Sequence, residues 1–421
     1  MDTRNPTERG AIAIQLVIIM VPVIFGMMGF AVDLGRLYLV RGELNQAANA
    51  MALAAASRLI GTSGALDDAN TAARLTLDNT LSNGNKYNFG SLLIGETNGV
   101  LTSDVPDPAY FATAADAIGL DGSASGNADG TTAKYVQANI TADAPLTFWG
   151  LLSLGQQRKT PIAARAVAGI SAPLCTACGI EPFAIAPIDL TDTTDFGFVV
   201  GNKYTFGYVC NGLPTPQALT GTTRRIQYLI LDRNDTGSSL DETQQLYRSG
   251  AQGVVPSTTA TQACFTINNQ EVVWASASVQ NCSTNQVGGS VRNALCGLDS
   301  RFENNVPTAC QAVTDVDTIS TAYIADRDVT DLDDYTAYTG SVRRVITVPI
   351  VDTLTAAGPM TIQGFRQFLV EPTVNNAGND PSDTNGRFSA LYIGSVVPLK
   401  QGRFDGACSA TSGPGKVVLH Q

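Results

Sequence analysis

VDLGRLYLVRGELNQAANAMALAAASRL, residues 32–59, begins where a long apolar run ends and holds neither proline nor a cluster of turn residues. Upstream, AIAIQLVIIMVPVIFGMMGFAV (residues 11–32) carries no charge. At ~1.5 Å per residue it spans roughly 33 Å, the depth of a bilayer's hydrocarbon core. A secretory signal has a shorter apolar core with a small-residue cleavage site close behind it; here the first such site, ALAAAS at residues 52–57, comes far too late. The two stretches predict one helix that crosses a membrane and continues for several turns beyond it. Pro22 is a place for a kink, and Gln15 is a strongly polar residue inside the run.

Beyond the membrane the helix is two-faced. At ~100° per residue, Leu37, Leu44, Ala47, Ala48, Met51, Ala55 and Leu59 share a stripe, while Glu43, Asn45, Gln46, Asn49 and Ser57 lie largely opposite. Alanine lets another backbone approach closely, so Leu37, Leu44, Ala48, Met51 and Ala55 mark a packing surface. Two occupants fit it: the chain's own sheet, or, near residues 37–48, the helices of neighbouring proteins. Asp33 and Arg36, three apart, are spaced to pair where the helix leaves the lipid.

The remainder of the 421 residues, 44% hydrophobic overall, is enough for two domains of ordinary size. A net charge of -11, with no Lys/Arg cluster interleaved with aromatics, argues against nucleic acid as a partner. The single histidine, His420, is the penultimate residue, where order is usually poor. That excludes a Ser-His-Asp triad or a His-rich metal site, and no motif supplies a positioned acid and base, so no enzyme activity is expected.

All 8 cysteines, Cys175, Cys178, Cys210, Cys264, Cys282, Cys296, Cys310 and Cys408, lie in the C-terminal part. An even number scattered through loops reads as disulfides made in an oxidising compartment. Cys175-x-x-Cys178 has two sharper readings, a redox pair or half of a zinc site, but prolines flank it where a thioredoxin-like motif would open a helix. Arg4 and Arg9 before the span balance Arg36 and Arg41 after it, so charge does not orient the chain. The cysteines do: a disulfide-bonded region after one span lies outside the cytoplasm, with the N-terminus inside.

Arg9-Gly10, the apolar run, Val32-Asp33-Leu34-Gly35-Arg36-Leu37-Tyr38, Arg41, Leu44-Asn45-Gln46-Ala47-Ala48-Asn49 and the Ala-Leu-Ala-Ala-Ala tail together resemble the N-terminal segment of TadG-like Flp pilus assembly proteins. The likeness covers residues 1–60 and departs at Asn49, where aspartate is usual. It implies a structural subunit of a Tad/Flp-type pilus assembly and secretion system in the bacterial envelope, a minor pilin-like, tip or anchor component. The chain would be single-pass in the inner membrane, with a periplasmic or pilus-borne head. Its implied partners are other pilin-like Tad subunits and the inner-membrane assembly platform, and no cofactor is implied. Prepilin-type peptidases cut such segments after glycine, which here means between Gly10 and Ala11; the glutamate they favour five residues on is Gln15, so the uncut form is expected. A competing class is a membrane-tethered adhesin with a metal- or glycan-binding head, and a third is a periplasmic thiol oxidoreductase using Cys175 and Cys178.

The expected fold class is α+β. Residues 1–60 form the lead, span and continuing helix, 61–170 a pilin-like α+β domain, and 171–421 a β-rich, cysteine-containing domain. Helical pattern recurs near DDANTAARLTLDNTL and LTFWGLLSL; Val136, Ala138 and Ile140 alternate with polar neighbours as in a half-buried strand, and TPIAARAVAGI is its candidate partner. After residue 171, strand candidates include DFGFVVGNKYTFGYVC, RRIQYLILD, QEVVWASASVQ, VRRVITVPIVD, MTIQGFRQFLVEP and RFSALYIGSVVPLK, with helical pieces at ETQQLYRSGAQ and GSVRNALCGLDSRF.

Two spellings suggest a cation. Asp121, Ser123 and Ser125 match the D-x-S-x-S of the metal-ion-dependent adhesion site in von Willebrand A domains, though no long apolar strand precedes them; a solvated loop is the other reading. Asp232, Asn234 and Thr236, followed by Gly237, begin like a calcium loop, but position twelve is Thr243 instead of glutamate. The run Asp326, Asp328, Asp331, Asp333, Asp334 adds oxygens without a known spacing, and reads as calcium ligands or as a solvated acidic surface.

Overall fold

Helix α1 is continuous over Pro6–Ala56, 51 residues, or about 77 Å. The computed structural model describes residues 6–77, 107–119, 128–146, 148–149, 159–209, 217–231, 264–271, 289–302, 310, 326–355, 357–372, 378–404, 408 and 410–420. From residue 14 to residue 32 of α1 the large apolar side chains point away from the rest of the chain, with Ile14 63%, Phe25 62% and Met27 70% exposed. Such a surface calls for apolar surroundings, and among the described residues α1 is the one helix long and apolar enough to cross a membrane. Pro22 lies inside it.

From Val40 onward one side of α1 is buried. Leu44, Ala47, Ala48, Met51, Ala52 and Ala55 form a core with Val136, Ala138 and Ile140 of strand β2 (Tyr135–Pro145) and Ala164, Ala166 and Ala168 of strand β3 (Lys159–Ile170). β2 and β3 pair antiparallel over their whole length, from Tyr135↔Gly169 to Pro145↔Lys159. Alanine on both surfaces brings helix and sheet close, and each larger side chain buried there contributes roughly 1.5 to 3 kcal/mol. Strand β1 (Ala109–Phe111) flanks β2, and helix α2 (Ala65–Leu77) folds back so that Ala69 and Ala73 join the same core.

The polar residues that alternate along the hairpin are used as well. Gln137 Nε2 donates to the carbonyl of Ala117 at 2.8 Å, and Arg165 Nη2 donates to the carbonyls of Ala117 and Gly119 at 2.9 and 2.7 Å. These carbonyls end the short helix α3 (Ala114–Ile118), where backbone acceptors lack helical partners.

The rest of the chain builds a second unit from β4 (Thr176–Cys178), β5 (Phe183–Ile185), β6 (Lys203–Tyr208), β7 (Arg224–Ile230), β8 (Cys264–Thr266), β9 (Gln270–Glu271), helix α4 (Gly289–Asp299), β10 (Val345–Val351), β11 (Met360–Val370), β12 (Phe388–Gly394) and β13 (Gly402–Arg403). Its main sheet has the order β10-β5-β7-β6-β12-β11-β9, and β10 also pairs with β11. Six strands therefore close into a ring, with β9 outside it, the β5–β10 junction resting on the single pair Ile185↔Ile350. Pairs β6–β7 and β5–β10 are parallel and the others around the ring antiparallel. Its core is aromatic: Phe206 stacks on Phe388 at 4.6 Å and Phe183 meets Tyr228 edge-on at 4.8 Å. A buried ion pair, Glu181 with Arg301, ties the end of α4 to β10, because Glu181 Oε2 also accepts from the amide of Thr347 at 2.8 Å.

Disulfides reinforce the second unit. Cys178–Cys264 joins directly opposed residues of β4 and β8; Cys175–Cys408 links β4's approach to the C-terminal segment, and Cys296–Cys310 ties down α4. Cys175 and Cys178 both hold distant partners, which overturns the redox-pair and half-zinc readings of that motif. Cys210 and Cys282 lie outside the described residues.

The last strand, β14 (Val417–His420), leaves the second unit and pairs antiparallel with β3, completing the order β1-β2-β3-β14. His420, expected to be poorly ordered, is instead held opposite Val167, its ring 5.2 Å from that of Tyr135. A second correction concerns residues 195–201, expected as strand. Asp192 draws in the amides of Thr194, Asp195 and Gly197, and Phe196 adopts φ 56°, so the segment turns and β6 starts at Lys203. The helical piece expected at ETQQLYRSGAQ lies outside the described residues, as does all but Gln270 and Glu271 of QEVVWASASVQ.

Candidate functional site at the end of the span

One side of α1 meets the head before the apolar run has ended. Gly26 and Gly29 are partly covered, Asp33 is buried, Leu37 is partly buried, and Val40 and Leu44 are buried, a helical progression leading from the span into the core. Asp33 is the centre of this contact. Its Oδ2 accepts from the backbone amides of Phe148 at 2.9 Å and Trp149 at 2.8 Å, residues of a helical turn beyond the end of β2. A carboxylate on the first free amides of a turn is a charge-assisted cap, so the aspartate holds the far end of the β2–β3 hairpin against the membrane helix. Gly29, one turn earlier, has no side chain to obstruct the Phe148 ring: a Cβ there would stand 2.0 Å from Phe148 Cγ. Beside this contact lies a cleft of about 550 Å³ between helix and hairpin, and Trp149 stands at its rim, 47% exposed.

The stripe of the continuing helix is occupied by the chain itself. Leu44, Ala48, Met51 and Ala55 are buried in the core shared with β2 and β3, and Leu37 packs partly against it. The face left open is another one, carrying Leu34, Tyr38 (80% exposed) and Leu39. Beyond its far end the connection to α2 docks onto the second unit, where Ile60 and Ala65, the first residue of α2, pack with Tyr335, Tyr338, Leu369 and Leu391, and Ser63 donates its amide to the Thr336 carbonyl at 2.7 Å. Gly10 and Ala11 are within α1.

The acidic run 326–334 is not a solvated surface throughout, which corrects that reading. Asp326 and Asp328 are buried; Asp326 accepts from the Tyr338 hydroxyl, and Asp328 from the Thr330 hydroxyl and the Thr339 amide. Those bonds hold the Asp328 carboxyl below its usual range against the opposing effect of burial. Asp331 and Asp333 both pair with Lys203, and Asp334 caps the turn at Thr336. Next to them Glu371 is buried, with Arg344 Nη2 at 3.7 Å from its Oε2. Burial, with the Asp331 carboxylate alongside, pushes Glu371 up to about 8 although Arg344 and Lys203 oppose the shift.

Asp121, Ser123 and Ser125, and equally Asp232, Asn234 and Thr236, lie outside the described residues. Among the described residues no three His, Cys, Asp or Glu side chains gather as metal ligands. No sequence signal pointed to the bond from Asp33 to Phe148 and Trp149, since the partners are 115 and 116 residues apart.

A helix able to span a membrane is continuous with an α+β head that carries disulfides in its C-terminal region, an arrangement consistent with a membrane-anchored protein. Residues 10–58, which include Asp33, Ala48 and Ala55, match the family described as putative Flp pilus-assembly TadE/G-like, and this likeness supports a role related to the Flp/Tad pilus. No curated protein and no solved structure matches the chain.

Proposed function

We propose that the chain is a single-pass structural subunit of a Flp/Tad pilus system, a minor pilin-like, tip or anchor component. Its N-terminus would be cytoplasmic and its disulfide-bonded head on the oxidising side of the inner membrane. The observation that carries this reading is the TadE/G-like match over residues 10–58 falling on the helix that links span and head. A structural subunit must transmit position and load between membrane and head, and the Asp33 cap, the Gly29–Phe148 contact and the alanine-lined core make that link stiff. Partners on this reading are pilin-like subunits and the assembly platform, reached through the exposed side of α1. Deletion of the gene is the test: loss of surface pili, restored by the full chain, supports the reading, and unchanged piliation refutes it.

One observation favours a second reading, an anchored ligand-binding protein. Where α1 ends against the head there is a cleft of about 510 Å³ whose lining includes Arg58, Lys400 and Lys416. These place three basic side chains together within an acidic protein, although burial, with Arg58 nearby, lowers the Lys400 pKa. Normal pili with lost surface attachment on deletion would select this class.

A further inference from the structure

The cleft beside the end of the apolar run lies where the spanning reading of α1 puts membrane depth. Gly26, on its floor, is six residues before the end of the apolar run, about 9 Å inside the hydrocarbon by helix rise. Its lining is mainly apolar, Phe30, Leu34 and Leu37 on α1 and Leu146, Phe148 and Trp149 on the hairpin side, with Asp33 and Thr160 as its polar members. Phe30 and Leu34 are 60% and 54% exposed, continuous with the apolar surface that begins at Ile14. Nothing stands within 4 Å of a Cβ placed on Gly26, so the floor is open. Water in such a space would find few polar partners, whereas a hydrocarbon chain fits both walls and floor. Trp149, amphipathic and at the rim, has the character of residues that settle at the headgroup level.

We propose that this cleft binds an acyl chain of a lipid in the outer-facing leaflet, so that the hairpin end carrying Phe148 and Trp149 dips into the bilayer and seats the head upon it. The inference rests on α1 spanning the membrane, as in the proposed function. It adds a second membrane contact, supplied by residues outside the TadE/G-like segment. Asp33 gains a purpose from this: by consuming the amides of Phe148 and Trp149 it removes polar groups that would otherwise be unsatisfied near lipid.

The chain has two tryptophans, Trp149 and Trp274, so Trp274→Phe isolates the relevant fluorophore. In the full chain reconstituted into phosphatidylcholine/phosphatidylglycerol bilayers, Trp149 emission should be quenched by lipids brominated near the glycerol end of the acyl chain, and less by bromines near the methyl end. A parallel chain, Met20→Trp with both native tryptophans replaced by phenylalanine, should be quenched by the deep bromines. If Met20→Trp is not quenched, the spanning reading fails and takes the inference with it; if it is quenched and Trp149 is not, the inference alone is overturned. Occupancy of the cleft is read with a lipid bearing a photoreactive group on its acyl chain. Cross-links to the peptide containing Phe148 and Trp149 should be lost in Gly26→Leu, whose side chain fills the open floor, while cross-links to residues 14–21 persist. Equal labelling of that peptide in both proteins, or its absence in the native one, overturns the proposal.

Discussion

The ring of Phe148 occupies the space that a side chain at Gly29 would need, with Cγ 2.0 Å from the position of a Cβ. Phe148 cannot yield without loosening its own amide, which is bound to Asp33 at 2.9 Å. Gly29→Ala should therefore push the hairpin end away from α1 and cost about 1 to 3 kcal/mol, the range for overpacking a close contact. Asp33→Ala should cost about 1 to 2 kcal/mol through the lost cap. Because both changes break one contact, the double variant should be little worse than the more damaging single one. Urea unfolding of the four proteins in detergent measures this, and simple additivity would show that the two residues act separately.

Ala48 is completely buried between helix and sheet. Ala48→Leu inserts volume into an alanine-lined core and should destabilise the chain by about 1 to 3 kcal/mol. Tyr38→Ser, on the open face and 80% exposed, should change stability by less than about 0.5 kcal/mol. Thermal melts distinguish the two; an unchanged midpoint for Ala48→Leu would mean that this core opens at little cost.

Non-reducing peptide mapping should recover Cys175 linked to Cys408, Cys178 to Cys264 and Cys296 to Cys310. The Cys175–Cys408 bridge spans 233 residues, and closing so long a loop restricts the unfolded chain strongly. Replacing both of its cysteines by serine should cost about 2 to 5 kcal/mol. Free thiols in quenched native protein, or a full set of different pairs, would contradict the assignment.

The sequence is most readable where a local period carries the information. The alternation of Val136, Ala138 and Ile140 placed β2, TPIAARAVAGI placed its partner, and the stripe from Leu44 to Ala55 identified the buried side of α1. Four further strands, β7, β10, β11 and β12, fell within their apolar runs for the same reason. Closure of the ring through β10, the return of Val417–His420 to β3 and the choice of Cys408 for Cys175 all join residues far apart in sequence, and no local pattern encodes which distant segment will arrive. Residues 195–201 misled because apolar composition was read without the aspartate at 192, whose carboxylate takes three backbone amides and forces a turn. Asp33 had a visible neighbour in Arg36, which obscured a bond to Phe148 and Trp149 that only the folded hairpin provides.

Glu371 connects pH to stability with a definite sign. Its folded pKa of about 8 lies above the ordinary 4.5, so between those values the folded state holds a proton that the unfolded chain has lost. Stability from this group is complete below about pH 4.5, declines as pH rises towards about 8, and is gone above it; at 1 % exposure the amount is on the order of a few kcal/mol. Asp328 and Asp331, both held below their ordinary values, act in the opposite direction in more acidic solution, and Asp331 also faces Lys203. Comparison with Glu371→Gln cancels these shared contributions, because glutamine imitates the protonated acid without titrating. The variant should match the native chain at about pH 5 and exceed it at about pH 9 in urea unfolding. A variant that instead loses stability relative to the native chain as pH rises would mean that Glu371 is ionised and bound to Arg344, and would reverse the assignment.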